Sequence, residues 1–115
     1  MVSVLLIDDD DDLREEIRLG LERAGFRVTS KESGEAGVLA FKETPFDVVV
    51  TDVVMDKGEG VETMKALLEI KPDLPIIAMS GHDSYLKAMG VLGAARTFTK
   101  PLRLAVLIEA IGEVA

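Results

Sequence analysis

The sequence contains no cysteine and no tryptophan, one tyrosine, one histidine and only four prolines. Without cysteine there are no disulfides and no thiolate metal sites. Scattered single prolines and the lack of any low-complexity stretch argue against a disordered or fibrous chain. Basic residues are also scarce, 13 against 21 acidic, for a formal charge of -8. Such a field repels nucleic acid and anionic lipid at long range, so direct binding to nucleic acid is not expected. Long hydrophobic runs are missing as well. The apolar run from Val4 to Ile7 is far shorter than a signal-peptide core and leads straight into five aspartates at positions 8–12. No other stretch approaches the length that spans a bilayer. The expectation is a cytoplasmic protein with no membrane contact.

What is present suits one globular domain over residues 1–115, with 48% hydrophobic and 30% charged residues. Five short apolar runs are bounded by turn or charge signals: Val2 to Ile7, Phe26 to Ser30, Phe46 to Thr51, Pro75 to Met79 and Ala95 to Thr99. Val48, Val49 and Val50 are consecutive and β-branched, the pattern of a strand buried on both faces of a parallel sheet. Between the runs lie segments with helical spacing. Leu13, Ile17, Leu21 and Ala24 form one stripe ending at Gly25. Ser33 caps a second helix through Lys42, and Met64, Leu67 and Leu68 face a third inward. Asp83 caps a fourth, in which Gly90 and Gly93 weaken the helix. Pro101 opens a fifth, with Leu104, Leu107, Ile108 and Ile111 as its apolar stripe. Strict alternation predicts an α/β fold, (βα) repeated five times around a parallel sheet covered on both faces. Ligands in such sheets bind at the carboxyl ends of the strands.

At those ends the sequence places Asp8 and Asp9 after the first strand, Asp52 after the third, Ser80 after the fourth and Lys100 after the fifth. Three carboxylates brought together repel one another, and burying them uncompensated costs several kcal/mol. A hard divalent cation with oxygen ligands relieves this, and Mg²⁺ typically takes one or two carboxylates, waters and a phosphate oxygen. Lys100 supplies a second, fixed cation. With both in place a phosphoryl group can approach Asp52 despite the surrounding charge, and carboxylate attack on phosphorus becomes feasible.

An acidic pair, an acceptor Asp, a Ser and a Lys-Pro at four different strand ends are jointly specific. In these residues the sequence resembles a response-regulator receiver domain of two-component signalling over essentially its whole length. The resemblance implies a doubly wound flavodoxin-like fold with strand order 2-1-3-4-5. It implies Mg²⁺ held by Asp8, Asp9, Asp52 and the backbone carbonyl of Val54. Asp52 would be the phosphoacceptor, Ser80 the hydroxyl that moves toward the phosphoryl group and Lys100 its cationic contact. The partner upstream would be a sensor histidine kinase or phosphotransfer protein. Downstream would stand a separate protein, a fused effector domain, or a second copy meeting this one through helix four, strand five and helix five. The last helix runs from about Leu102 to Ala115, which fits either a stand-alone receiver or the input half of a longer regulator. Such a domain is a phosphoacceptor rather than an enzyme, with at most slow Mg²⁺-dependent self-phosphorylation and autodephosphorylation.

Two positions depart from the family pattern. Asp56 stands where a proline is usual, adding charge and freedom near the metal. Thr97 stands where an aromatic switch residue is usual, and Phe98 alternates to the opposite face of its strand. His82, two residues beyond Ser80, lies where the family tunes access to the phosphoryl group, although an exposed loop histidine without a chemical role is the simpler reading. The plain alternative for the aspartate run is helix capping, which accounts for Asp11 and Asp12 and leaves Asp10 ambiguous but is not needed for Asp8 and Asp9; a solvated Asp52, a turn Ser80 and a surface Lys100 are outweighed by their co-location.

Two rival functions are weaker. An aspartate-nucleophile phosphohydrolase wants a second acid two residues after the nucleophile, where this chain has Val54. A flavin or nucleotide module wants a glycine-rich loop after the first strand, where this chain has aspartates. Within the family, a protein-interaction receiver that works without phosphorylation is the remaining alternative.

Overall fold

The computed structural model describes residues 1–53 and 59–115, with the backbone alone for Glu59, Asp83 and Ser84. Strand and helix alternate: β1 (Ser3–Ile7), α1 (Asp11–Arg23), β2 (Arg27–Lys31), α2 (Gly34–Glu43), β3 (Val48–Asp52), α3 (Glu59–Ile70), β4 (Ile76–Ser80), α4 (Asp83–Leu92), β5 (Arg96–Thr99) and α5 (Leu104–Val114). The strands form one parallel sheet in the order β2-β1-β3-β4-β5, as the resemblance implies.

Side-chain alternation along each strand divides the core into two layers. Leu5 and Ile7 of β1 and Val49 of β3 face Phe41, Met64, Leu67 and Met89 from α2, α3 and α4. Val4 and Leu6 of β1 and Val48 and Val50 of β3 face Ile17, Leu21, Leu107 and Ile111 from α1 and α5. Both central strands β3 and β4 are buried throughout. Each fully buried Val, Leu or Ile contributes about 1.5–3 kcal/mol, so burial anchors β1, β3 and β4, which end at the acidic rim, more firmly than the edge strands β2 and β5.

Several element ends differ from the expectation. Asp52 and Ser80 are the last residues of β3 and β4 rather than loop residues, because parallel pairing continues through Asp52↔Met79 and Ser80↔Thr99. Asp83 is the first helical residue of α4, and its N-cap is His82, whose side chain makes no capping hydrogen bond. Gly93 ends α4 as a left-handed cap at φ 115°, so it terminates the helix instead of weakening it from within. Pro101 does not open α5, which starts at Leu104 with Arg103 as N-cap. Residues Pro101 and Leu102 precede the helix and line an apolar cleft of about 520 Å³ with Leu13, Ile17 and Leu107.

The first turn of α3 lies against the end of β3. A Cβ on Gly60 would sit 2.2 Å from the Val53 carbonyl oxygen and 2.7 Å from its Cα, so backbone would have to move. Gly60→Ala is expected to cost about 2 kcal/mol through overpacking. The control is Gly112→Ala in α5, where nothing lies within 4 Å. That change is expected to gain up to about 1 kcal/mol from helix propensity. Urea denaturation of both variants checks the pair, and equal effects would contradict the close approach.

Candidate functional site

Parallel strands deliver all their carboxyl ends to one edge, so the residues that end or follow β1, β3, β4 and β5 meet there. Asp8 directly follows β1, Asp52 ends β3, Ser80 ends β4 and Lys100 directly follows β5. Asp8 is fully buried and Asp52 nearly so, at 0% and 5% exposure, while Asp9 is more open. One carboxylate oxygen from each of Asp8, Asp9 and Asp52 lies within 4.8 Å of the others.

Lys100 reaches into this cluster. Its Nζ donates to Asp8 Oδ2 at 3.2 Å and to Asp52 Oδ2 at 3.0 Å. Desolvation works against its charge, but the hydrogen bond and charge of Asp52, followed by those of Asp8, outweigh it and hold Lys100 above its ordinary value. A raised value keeps the contribution of this ion pair to stability present through neutral pH, to be lost only as alkaline pH passes the folded-state value. A cluster of hard carboxylate oxygens, two of them largely withdrawn from water, matches the donor set that Mg²⁺ accepts.

The flanking turn settles one open assignment. Asp10 is the N-cap of α1, its Oδ1 accepting from the Leu13 N–H at 3.1 Å. Asp8 and Asp9, not Asp10, are the members of the run whose carboxylates converge with Asp52. Ser80 is fully buried, and its Oγ accepts from the His82 backbone N–H at 3.0 Å. The His82 ring is exposed and stands edge-on to Tyr85, with centroids 6.0 Å apart. Thr97 is exposed beside Ala78 on the α4 side of β5. Phe98 packs in the α1/α5 layer, so it does not substitute for an aromatic at position 97. The expectations at Val54 and Asp56 lie outside the described residues.

Two residues beside the site make backbone contacts that the sequence does not signal. Gly60, in the first turn of α3, permits the close approach to Val53 just described. Arg14 sends Nη1 to the Asp8 backbone carbonyl at 2.7 Å and Nη2 to Asp11 at 2.6 Å. The spacing of Asp11 and Arg14 signals an i,i+3 ion pair on a helix, but a bond to a carbonyl six residues back depends on the turn.

The sequence profile of the response regulator receiver domain matches residues 4–112. The chain belongs to this receiver family. The response regulator receiver protein CpdR of Brucella abortus is 37% identical over 81 residues, 70% of this chain and 68% of that protein. The C4-dicarboxylate transport transcriptional regulatory protein DctD of Rhizobium meliloti is 33% identical over 93% of this chain, which spans only 24% of DctD. A receiver domain protein from Clostridium thermocellum has the same fold at a TM-score of 0.93 and 27% identity, covering 99% of this chain and 94% of that one. The response regulator protein TrrA of Thermotoga maritima, solved in complex with Mg(2+)-BeF, shares the fold at a TM-score of 0.91 and 23% identity over 100% of both chains. The receiver is therefore a signalling domain of two-component systems, and none of these likenesses favours the phosphohydrolase or nucleotide-module reading. Among the described residues no helix is long and apolar enough to cross a membrane.

Proposed function

We propose that this receiver accepts a phosphoryl group on Asp52 from a phosphohistidine donor in a Mg²⁺-dependent reaction. The observation that carries the reading is the pairing of Lys100 Nζ with both Asp8 and Asp52, inside a cluster whose carboxylate oxygens lie within 4.8 Å. Asp8, Asp9 and Asp52 would hold the ion, with the Val54 carbonyl as a further ligand by family analogy. When bound, Mg²⁺ neutralises the carboxylates and draws charge from the phosphoryl oxygens.

The protein's own groups do the rest. An oxygen of Asp52 attacks phosphorus, the new O–P bond forms as the P–N bond breaks, and the histidine nitrogen leaves with that electron pair. Lys100, already beside Asp52, stabilises charge on the transferred group. Ser80 would offer its hydroxyl to a phosphoryl oxygen, and the exposed His82, whose backbone N–H donates to Ser80 Oγ, would tune access to it. The domain acts as a phosphoacceptor with slow self-phosphorylation and slow autodephosphorylation, in the cytoplasm, with a sensor kinase or phosphotransfer protein upstream. Its output goes to a separate protein, a fused effector or a second copy through the α4, β5 and α5 face, without direct contact with nucleic acid.

Thr97 in place of an aromatic makes movement of α4 and β5 the carrier of that output. Structures with and without a beryllium fluoride mimic should differ in the position of α4 relative to β5; identical surfaces around Thr97 in both would refute it. The phosphoacceptor reading is tested by incubation with acetyl phosphate, with and without Mg²⁺, followed by intact mass. The unmodified protein should gain one phosphoryl group only with Mg²⁺, and Asp52→Asn should gain none. Equal gain by Asp52→Asn would overturn the reading.

A further inference from the structure

We propose that Arg14 is a positioning residue for the acidic pair, setting Mg²⁺ affinity through the backbone of Asp8 and not through its own charge. The proposal rests on the metal site described above and names a residue on which that site depends. Asp8 is fully buried, and four polar groups from separate segments fix it. Its N–H donates to the Lys31 carbonyl of β2 at 3.2 Å. Its Oδ1 accepts from the Asp10 N–H at 3.0 Å, and its Oδ2 accepts from Lys100 at 3.2 Å. Its carbonyl accepts from Arg14 Nη1 at 2.7 Å.

Arg14 is also tied to the other end of the same turn. Its backbone N–H donates to the Asp10 carbonyl at 2.9 Å, and its second guanidinium nitrogen meets Asp11 at 2.6 Å. With a side chain only 18% exposed, the guanidinium bridges the span from Asp8 to Asp11 that carries Asp9. A planar, two-armed donor can hold two acceptors at a set spacing, which a single ammonium cannot. Losing it strips a donor from the carbonyl of a buried residue, and the turn must rearrange to recover one. The oxygens of Asp8 and Asp9 then no longer converge with Asp52.

Charge and position give opposite signs. By Coulomb's law alone, removing a cation near an acidic site tightens binding of a divalent cation. Removing a positioning residue loosens it, and partners of metal ligands typically govern about 10- to 100-fold in affinity. Arg18, one turn further along α1, carries the same charge but pairs with Glu15 and Glu22 and leaves Asp8 untouched.

The test is calorimetric titration of the whole 115-residue chain with MgCl₂, alongside melting of the metal-free protein. Arg14→Ala is expected to raise the Mg²⁺ Kd about tenfold or more, Arg14→Lys several-fold although the charge is kept, and Arg18→Ala less than about twofold. Should Arg14→Ala be unfolded at the titration temperature, Arg14→Lys carries the test. Unchanged or tighter binding in the folded Arg14 variants, or equal weakening in Arg18→Ala, overturns the proposal while the metal site stands. Titration of Asp52→Asn indistinguishable from the unmodified protein would instead overturn the metal site itself, and with it the proposal.

Discussion

Asp52→Asn is expected to abolish phosphoryl uptake and, at the same time, to raise the melting temperature of the metal-free protein. Chemically the change removes the attacking oxygen anion. Energetically it removes one of three carboxylates whose oxygens lie within 4.8 Å. The attraction to Lys100 at 3.0 Å is lost, but repulsion from Asp8 and Asp9 and the desolvation of a nearly buried carboxylate are relieved. Lys100 remains paired with Asp8 at 3.2 Å. The net gain is about 1 kcal/mol, or roughly 4 °C in a domain of this size. Added Mg²⁺ should stabilise the unmodified protein by mass action and stabilise Asp52→Asn far less. Differential scanning calorimetry with and without Mg²⁺ measures both effects. A variant that melts lower than the unmodified protein without metal would mean that Asp52 is a structural partner of Lys100 before it is anything else.

Lys100→Ala is expected to have the opposite effect on stability. It leaves two buried carboxylates, Asp8 and Asp52, without the cation whose Nζ touches both. Removing one partner of a buried ion pair typically costs about 3–5 kcal/mol, and the metal-free variant should fall by about 3. Saturating Mg²⁺ should return part of this, since the ion supplies the missing charge. Phosphoryl uptake from acetyl phosphate should drop about 100-fold even at saturating Mg²⁺, the usual effect of losing one fixed donor to a developing anion. In the Asp52→Asn background the stability loss from Lys100→Ala should be smaller, because one of the two acceptors is already neutral. Equal losses in both backgrounds would show that Lys100 and Asp52 do not act together.

Much of this architecture is legible in the sequence, and the reasons are physical. Three consecutive valines at 48–50 need burial on both sides, which only a central parallel strand provides. Parallel order in turn forces Asp8, Asp52, Ser80 and Lys100 to one edge, so the constellation follows once the strands are placed. Segment ends are less legible because packing decides them. Pro101 carries the signal of a helix start, yet it and Leu102 line the cleft beside Leu107, and α5 waits until Leu104. Asp83 carries the signal of a cap, but the backbone turns helical one residue earlier than that signal implies, after His82. Asp10 was ambiguous among five aspartates, and only the bond from Leu13 N–H assigns it. Arg14 and Gly60 stayed hidden because each acts on backbone, at the Asp8 carbonyl and at Val53, and no spacing rule encodes a contact between a side-chain position and a distant peptide group.

The most direct measurement of the central claim is the position of the phosphoryl group. The protein phosphorylated by acetyl phosphate in Mg²⁺ is reduced with borohydride, which converts an acyl phosphate to the corresponding alcohol, and digested for peptide mapping. The expected result is homoserine at position 52, with Asp8 and Asp9 unchanged. Reduction at Asp8 or Asp9, or a borohydride-resistant phosphate on Ser80 or His82 with Asp52 intact, would contradict it.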